Sequence, residues 1–525
     1  MESDEVRAPQ GASRQSLCAG IRFIKSLEIE LDEPVDDTQT LSARSEGTLE
    51  GCEDTQRLSA SGFAAQQKFI PILFHNLTNY DVHLFITNLY YDKGKITAIA
   101  NNEEKYVSFS KYIDEKEFRF LDSFRFLNKS IDVLSSGLTH EQLKQTRKYF
   151  TDEQLKVLFR EKSLKGDGKT KILRKGIYPY EYMDSFERFN ETSLPPIKEF
   201  RSSLNDTTIK EDEYEHALKV WDYFKIKNLG EWHDLYLKLD VLLLSDVFEA
   251  FRDKALATYG LDPAWYYTLP SFGWDCMLKY TKAEIELITD HNMYMMFERS
   301  IRGGICQASN RYSKAGLQPD GSFKENYYWD ITNEYGWAMI QPLPIRDFKE
   351  LSHCPEWDIN PHQWFEEWLQ REYYSYCPSG TDQRMLYTGR GITLDIDIAS
   401  FPEELHDWFN DLPLAPENID PRVFRSEAPK TKGVKKLICH FNAKKNYVIY
   451  YRLLDFFVKE EMIISKIISV VEYTEETFIK SYIDYNTEQR KNAKNDFEKD
   501  FWKMMCNSVY GNCIENARNR SSIEF

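Results

Sequence analysis

Four short clusters in the chain hold residue types that could do chemistry on a nucleotide or a phosphate. The first is Lys503-x-x-x-Asn507-Ser508-x-Tyr510-Gly511. A lysine on a helix, followed by a small polar turn and a tyrosine, suits a grip on a nucleotide. In the second, Asp330-Ile-Thr-Asn333-Glu334-Tyr335-Gly336, a carboxylate follows the aromatic run Tyr327-Tyr-Trp. Two-metal phosphoryl transfer needs carboxylates on rigid strands, because two cations held about 3.5–4 Å apart repel each other. The third, His75-Asn76-Leu-Thr-Asn-Tyr80-Asp81, comes directly after an apolar run. Turns rich in Asn and Asp do this routinely, so an ordinary turn is the competing reading. In the fourth, Tyr236-Leu-Lys-Leu-Asp240, tyrosine and aspartate share one helix face with Leu243, Leu244 and Val247 beyond them. A carboxylate aimed at a core side needs a hydrogen-bond partner or a metal.

These clusters must be positioned by a chain of 525 residues, enough for two or three domains of ordinary size. Its composition, 42% hydrophobic with 32 Tyr, 33 Phe and 11 Trp, is that of a packed protein. No run of 18 apolar residues occurs and the N-terminus lacks a basic region followed by an apolar one. Neither a membrane span nor a secretory signal is indicated, and an intracellular location, nucleus or cytoplasm, is expected. Nine scattered cysteines without a CxxC pair agree with a reducing compartment. His353, Cys354, His362 and Cys377 lie near one another, at spacings that match no metal finger. The net charge of −17 opposes a globally basic nucleic-acid footprint, so any DNA groove has to be local. Arg490, Lys491, Lys494, Lys499 and Lys503 give a small local excess, offset by Asp496, Glu498 and Asp500.

Residues 1 to 65 are rich in Ser, Gln, Glu, Asp and Gly without periodicity and read as disordered or unrelated to the rest of the chain. Phe69–Phe74 predicts a buried strand, Ile96–Ala100 and Tyr106–Phe109 a hairpin, Phe118–Leu121 another strand, and Glu161–Lys171 a loop. Trp221–Tyr259 is helical in pattern and closes at Gly260. Tyr327–Asp330 predicts a strand, 345 to 450 short strands between Pro-rich loops, and Glu460–Met505 a largely helical stretch.

The order of the four clusters resembles the family B DNA polymerases, specifically the protein-primed branch of phages, adenoviruses, linear organellar plasmids and Maverick/Polinton transposons. The likeness runs from about Phe69 to Arg520 and includes Lys175-Gly-Ile-Tyr-Pro-Tyr180, Gly260-Leu-Asp-Pro-Ala-Trp265 and Pro402-Glu-Glu-Leu-His406. It implies a multidomain α/β and α+β fold, with an RNase H-like 3′–5′ exonuclease domain followed by an incomplete polymerase palm and helical fingers. The segments it implies are 1–65 unrelated, 66–300 exonuclease, 301–344 linker and first palm segment, 345–450 an insertion, and 451–525 fingers and returning palm. By the same resemblance Asn76, Tyr80 and Asp81, with His75 before them, match the second exonuclease motif, and Tyr236 and Asp240 the third. Asp81 and Asp240 would hold metal there. Ser130-Ile-Asp-Val-Leu134 looks like the element that holds single-stranded DNA and the priming protein, and Arg302-Gly303-Gly304 like the DNA-contacting linker. Asp330 would bind both Mg2+ ions of the palm, and Tyr335 would form a floor against a ribose 2′-hydroxyl. Lys503 would hold the triphosphate, Asn507 and Tyr510 would position the new base pair, and Gly511 would sit against DNA. Lys491 and Lys499 precede Lys503 at spacings that put them near its helix face, with a solvated face as the competing reading.

The expected activity is template-directed addition of dNTP to a primer 3′-hydroxyl on primer-template DNA, with a priming protein as a further partner. Several family features have no obvious counterpart. The first exonuclease motif, Asp-x-Glu, finds only Glu28-Ile-Glu30 and Asp32-Glu33 upstream of Asn76, and no Asp-Thr-Asp comes after Gly511. Asp395-Ile-Asp397 precedes the lysine motif and falls in the insertion, so it is not taken as that dyad. A truncated or degenerate polymerase is therefore expected, the alternatives being an inactive nucleic-acid-binding remnant or an exonuclease alone. The family usually has an apolar residue where Glu334 stands, and a glutamate buried there would be costly without a partner.

Overall fold

The computed structural model describes residues 69–79, 81–86, 89, 94–100, 106–114, 116–163, 169–173, 176–203, 206–374, 389–424, 433–514, 518 and 521–524. Residues 1–68, Tyr80 and Cys377, with the readings attached to them, lie outside these. The protein is a multidomain α/β chain of two compact units. The first comprises residues up to Phe272 with 493–501 and 516–525, the second 273–492 with 502–515.

In the first unit, strands β1 (Phe69–Phe74), β2 (Ile96–Ala100), β3 (Tyr106–Ile113) and β4 (Lys116–Asp122) form a sheet in the order β1-β4-β3-β2, extended by Ser521–Glu524 beside β2. β1 runs parallel to β4, and the other pairs are antiparallel. β1 is an edge strand, which is where Pro71 can forgo a ladder bond, and it is only half-buried rather than buried as its apolar run suggested. Phe109 stacks on Phe120 at 4.4 Å, and Leu77 and Val82 close this core from the β1 side. The expected loop at Glu161–Lys171 is instead a hairpin, Phe159–Ser163 pairing with Lys169–Leu173.

The helical half of the unit is built on α1 (Glu211–Tyr223) and α2 (Leu229–Tyr259). The single helix expected from Trp221 breaks because Lys225 is left-handed (φ 54°) and Asn228 caps the next helix, accepting from Glu231 N at 3.0 Å. α2 then runs 31 residues, about 46 Å, and ends at Gly260 (φ 62°) as expected. Trp232, Leu239, Leu243, Val247 and Phe251 recur at helical spacing and are buried. Asp246 is buried among them, accepting from the backbone N–H of Gln145 and Thr146 and from the Thr146 hydroxyl.

The second unit introduces α3 (His291–Ser300), α4 (Glu334–Met339), β5 (Leu343–Glu350), α5 (Pro361–Trp368), β6 (Gly389–Ile398), β7 (Lys444–Tyr450), α6 (Tyr451–Lys459), β8 (Ile464–Glu476), α7 (Lys480–Lys491) and α8 (Asp496–Cys513), whose first turns belong to the first unit. The sheet order is β7-β6-β8-β5, antiparallel throughout. β6 is buried on both faces: Ile392, Leu394, Ile396 and Ile398 pack with Trp368, Tyr451 and Leu454, while Met296 of α3 packs with Val448, Val471 and Tyr473. β8 corrects the expectation that 460–505 is largely helical, since helices there begin only at Lys480. Its Ile464, Ile467, Val470 and Val471 are β-branched and buried on a pleated surface. The strand expected at Tyr327–Asp330 is also absent, for no strand among the described residues pairs with it, and Tyr328 and Trp329 are 94% and 83% exposed. No helix among the described residues is long and apolar enough to cross a membrane.

Candidate functional site

The lysine motif lies on α8, where Trp502, Met505, Cys506, Ser508 and Val509 are buried and Lys503 and Asn507 are exposed, with Tyr510 half-buried. The helix is docked by Tyr482 Oη, which donates to Met505 O, and by Tyr485 against the Trp502 ring. Ser508, inside the motif, is a packing residue: its hydroxyl donates to Met505 O, and a Cβ on Gly273 would fall 1.9 Å from its Oγ. Gly511 is half-buried in the last turns of α8. Lys499 is exposed on α8, but Lys491 ends the separate helix α7 and lies near Glu488 at 3.7 Å. The break at 492–495 removes Lys491 from the lysine face.

Tyr335 stacks on Tyr510 with ring centroids 4.3 Å apart and planes 24° from parallel. The two motifs, 175 positions apart in sequence, thus meet in the second unit. Asn333 begins α4 in a left-handed conformation (φ 59°), turning the chain between Asp330 and Tyr335. Asp330 is exposed, and so is Glu334, so the cost of burying a glutamate there does not arise.

The first unit holds the other pair of clusters. The loop after β1 is tied to the end of β4, which β1 runs beside (Phe74 opposite Asp122). Asp122 accepts from Asn76 N at 2.8 Å, Thr78 N at 3.1 Å and Phe124 N at 3.0 Å. Ser123 Oγ donates to Phe74 O at 2.8 Å and lies 3.0 Å from His75 Nδ1, while His75 Nε2 is 2.9 Å from Lys129 O. Asn76 adopts φ 73° in this turn and accepts from Asn79 Nδ2. Burial, and then the Asp122 carboxylate, push Asp81 up to about 6. Asp122 and Ser123 were missed in the sequence. A carboxylate ending an aromatic strand, as at Asp330, was the available signal. Ser130 accepts from Val133 N as the cap of the short helix Ile131–Ser135.

On α2, the Tyr236 hydroxyl is 2.5 Å from that of Tyr180, and its ring centroid lies 4.9 Å from Tyr178, whose hydroxyl is 2.8 Å from His233 Nδ1. Burial, and then the Asp240 carboxylate one turn on, raise the Tyr236 phenol far above its ordinary value. It stays a neutral hydrogen-bonding group. Arg302 is half-buried, its guanidinium lying over the Tyr447 ring at 3.9 Å, whereas Gly303 and Gly304 are exposed.

A divalent cation would need several hard donors converging. Among the described residues no group of three or more His, Cys, Asp or Glu could hold a metal ion. Asp122, whose charge raises Asp81, gives both oxygens to backbone N–H groups. The described side chains therefore do not make a complete magnesium site in either unit.

The chain matches the family described as DNA polymerase type B, organellar and viral, over residues 65–366, more than half of its length. No curated protein matches it. Among solved structures, an orthorhombic crystal form of Phi29 DNA polymerase aligns at 15% identity with TM-score 0.40, covering 85% of this chain and 60% of that one. Phi29 DNA polymerase complexed with primer-template DNA and incoming nucleotide substrates aligns at 14% with TM-score 0.41, covering 84% and 59%. The chain thus spans about 60% of the length of these structures.

Proposed function

The chain belongs to the organellar and viral type B DNA polymerases, and from that premise we propose that it acts in template-directed addition of dNTP to a primer 3′-hydroxyl, in the protein-primed manner. The observation that carries this reading is the Tyr335–Tyr510 stack at 4.3 Å, on the helix that exposes Lys503 and Asn507. Lys503 supplies a cation for a triphosphate, Tyr510 and Tyr335 an aromatic wall for sugar and base, and Asn507 an amide between them. In this reading the first unit is an RNase H-like exonuclease domain, and the second is a palm with insertion and fingers. Divalent ions supply charge neutralisation in this family. Asp330 is the palm carboxylate offered to them here, and no step is assigned to an incomplete set. The partners are primer-template DNA, as in the Phi29 complexes, dNTP and a priming protein, and the place of action is nucleus or cytoplasm.

A second reading, 3′–5′ exonuclease action at Asp81 and Asp240 with Tyr236 beside them, is favoured by one feature. The Asp122–Ser123 clamp holds the His75–Asp81 loop in a defined shape. Nitrocellulose capture of labelled dNTP and of primer-template DNA separates the possibilities. Lys503→Ala should weaken dNTP retention about tenfold or more and DNA retention by less than threefold. Equal losses would remove Lys503 from the nucleotide site. DNA retention with no dNTP capture in the wild type would leave the inactive DNA-binding remnant or the exonuclease.

A further inference from the structure

The helix Leu269–Thr281 meets the lysine-motif helix through a glycine. Gly273 is buried, and a Cβ built on it would lie 2.7 Å from the Ser508 Cβ, against the roughly 3.5–4.0 Å at which carbon atoms rest. Turning the Ser508 hydroxyl away would not relieve that overlap, because a Cβ does not move with χ1. The serine is in any case held, its hydroxyl donating at 2.9 Å to Met505 O, the same carbonyl that accepts from Tyr482 Oη at 3.3 Å. Seven positions after Gly273, two turns along one face, the Tyr280 ring stacks on Tyr485 of α7 at 5.1 Å and stands edge-on to Tyr482 at 6.1 Å. The helix therefore braces α8 twice, directly at Ser508 and through α7, whose Tyr482 and Tyr485 reach Met505 and Trp502. Ser508 follows Asn507 and comes two residues before Tyr510, so its depth sets theirs.

We propose that Gly273 is a positioning residue for nucleotide capture: by admitting Ser508 it fixes how deep α8 sits, and so sets Tyr510 against Tyr335 and holds Lys503 and Asn507 in place beside that stack. The crossing stands on the contacts above, and its role in capture rests on the polymerase reading. Even the methyl group of alanine at 273 must push α8 outward by about 1 Å at Ser508. That displacement reaches Tyr510 half a turn on, where the ring stacks on Tyr335 at 4.3 Å, and it parts or offsets the two rings.

The crossing is read by urea denaturation of the full chain. Gly273→Ala should lower the unfolding midpoint in the wild type and in Ser508→Ala, which keeps the obstructing Cβ, and lower it far less in Ser508→Gly, which removes it. A loss of the same size in all three backgrounds, or no loss in the wild type, would overturn the crossing. Positioning is read separately, on chains that circular dichroism shows to be folded, by nitrocellulose capture of labelled dNTP and of primer-template DNA. Gly273→Ala should weaken dNTP retention about fivefold and DNA retention by less than twofold, and adding Gly273→Ala to Ser508→Gly should change dNTP retention by less than twofold. A merely structural role would lower both ligands together as folded chain is lost. Equal losses of dNTP and DNA, or unaltered dNTP capture beside the coupled loss of stability, would overturn the positioning role and leave the crossing. A wild-type chain that captures no dNTP would overturn the polymerase reading instead, with the crossing still in place.

Discussion

Asp122 does at the level of one residue what the His75–Asp81 motif cannot do for itself. Backbone N–H groups in a tight turn have no ladder partner, and a buried one left unmade is costly. Asp122 satisfies those of Asn76, Thr78 and Phe124, and Ser123 joins the Phe74 carbonyl to the His75 ring. Asp122→Ala should therefore lower stability by about 3 kcal/mol, more than a typical surface change, because three donors lose a charged acceptor at once. Chemical denaturation checks this, and a loss below about 1 kcal/mol would mean that water replaces the carboxylate. The clamp was not legible in the chain, since the loop residues it holds lie 44 to 49 residues from Asp122 and Ser123. The motif itself was legible, because His75-Asn76 and Asp81 lie close together directly after an apolar strand. Tyr335 and Tyr510 were each legible, whereas their stacking was not.

Elements were legible where one signal dominated. Ile96–Ala100 carries the β-branched Ile96, Thr97 and Ile99 and is alternately buried and half-buried, as a strand should be, and Gly260 stops a long amphipathic helix. β8 was hidden because Glu472, Glu475 and Glu476 inside it and the charged helices after it give the stretch a helical polarity. Its Glu475 is fully buried and accepts from Tyr450, Tyr451 and Arg452, partners that no local pattern reveals. β7 carries a comparable device at its first residue. Lys444 is fully buried, its Nζ 2.7 Å from His440 O and 2.8 Å from His440 Nδ1, while His440 Nε2 lies 2.8 Å from Glu417. Burial lowers the Lys444 ammonium from 10.5 to about 8, against the pull of Glu417. Between these two values the unfolded chain holds a proton that the folded chain has lost, so this group makes stability rise with pH across that window. Below about 8 both states are protonated and the folded state bears the full cost of the buried charge. Lys444→Met should remove this dependence, so that the stability of the wild type relative to the variant improves as pH rises from about 8 to about 10. Urea titrations at matched pH measure it. A difference that stays constant, or falls, would show that Lys444 titrates normally.

For the whole molecule the governing fact is a net charge of −17, since on the proposed function DNA would approach a chain that on average repels it. On the same reading, binding must come from a few local cations, and Lys499, exposed on α8, is one offered to DNA phosphates. Phosphate contacts release condensed counterions, and each one adds about 0.9 to the slope of log affinity against log salt on duplex DNA. A grip of so few cations predicts a shallow slope. The repulsion from the rest of the surface is itself screened by salt, within about 10 Å at 0.1 M. Adding salt therefore weakens the local attraction and the distant repulsion together, and the plot should flatten at low salt rather than stay linear. Replacing Lys499 by alanine should lower the slope by about one unit and weaken binding to every sequence alike, because a phosphate contact reads no base. Anisotropy titrations of one duplex between about 0.03 and 0.3 M salt, for wild type and Lys499→Ala, are sufficient, as this range spans the change in screening length. A slope unaltered in the variant would place the phosphates elsewhere, and a steep linear slope in the wild type would mean that many more cations line the DNA path than α8 supplies.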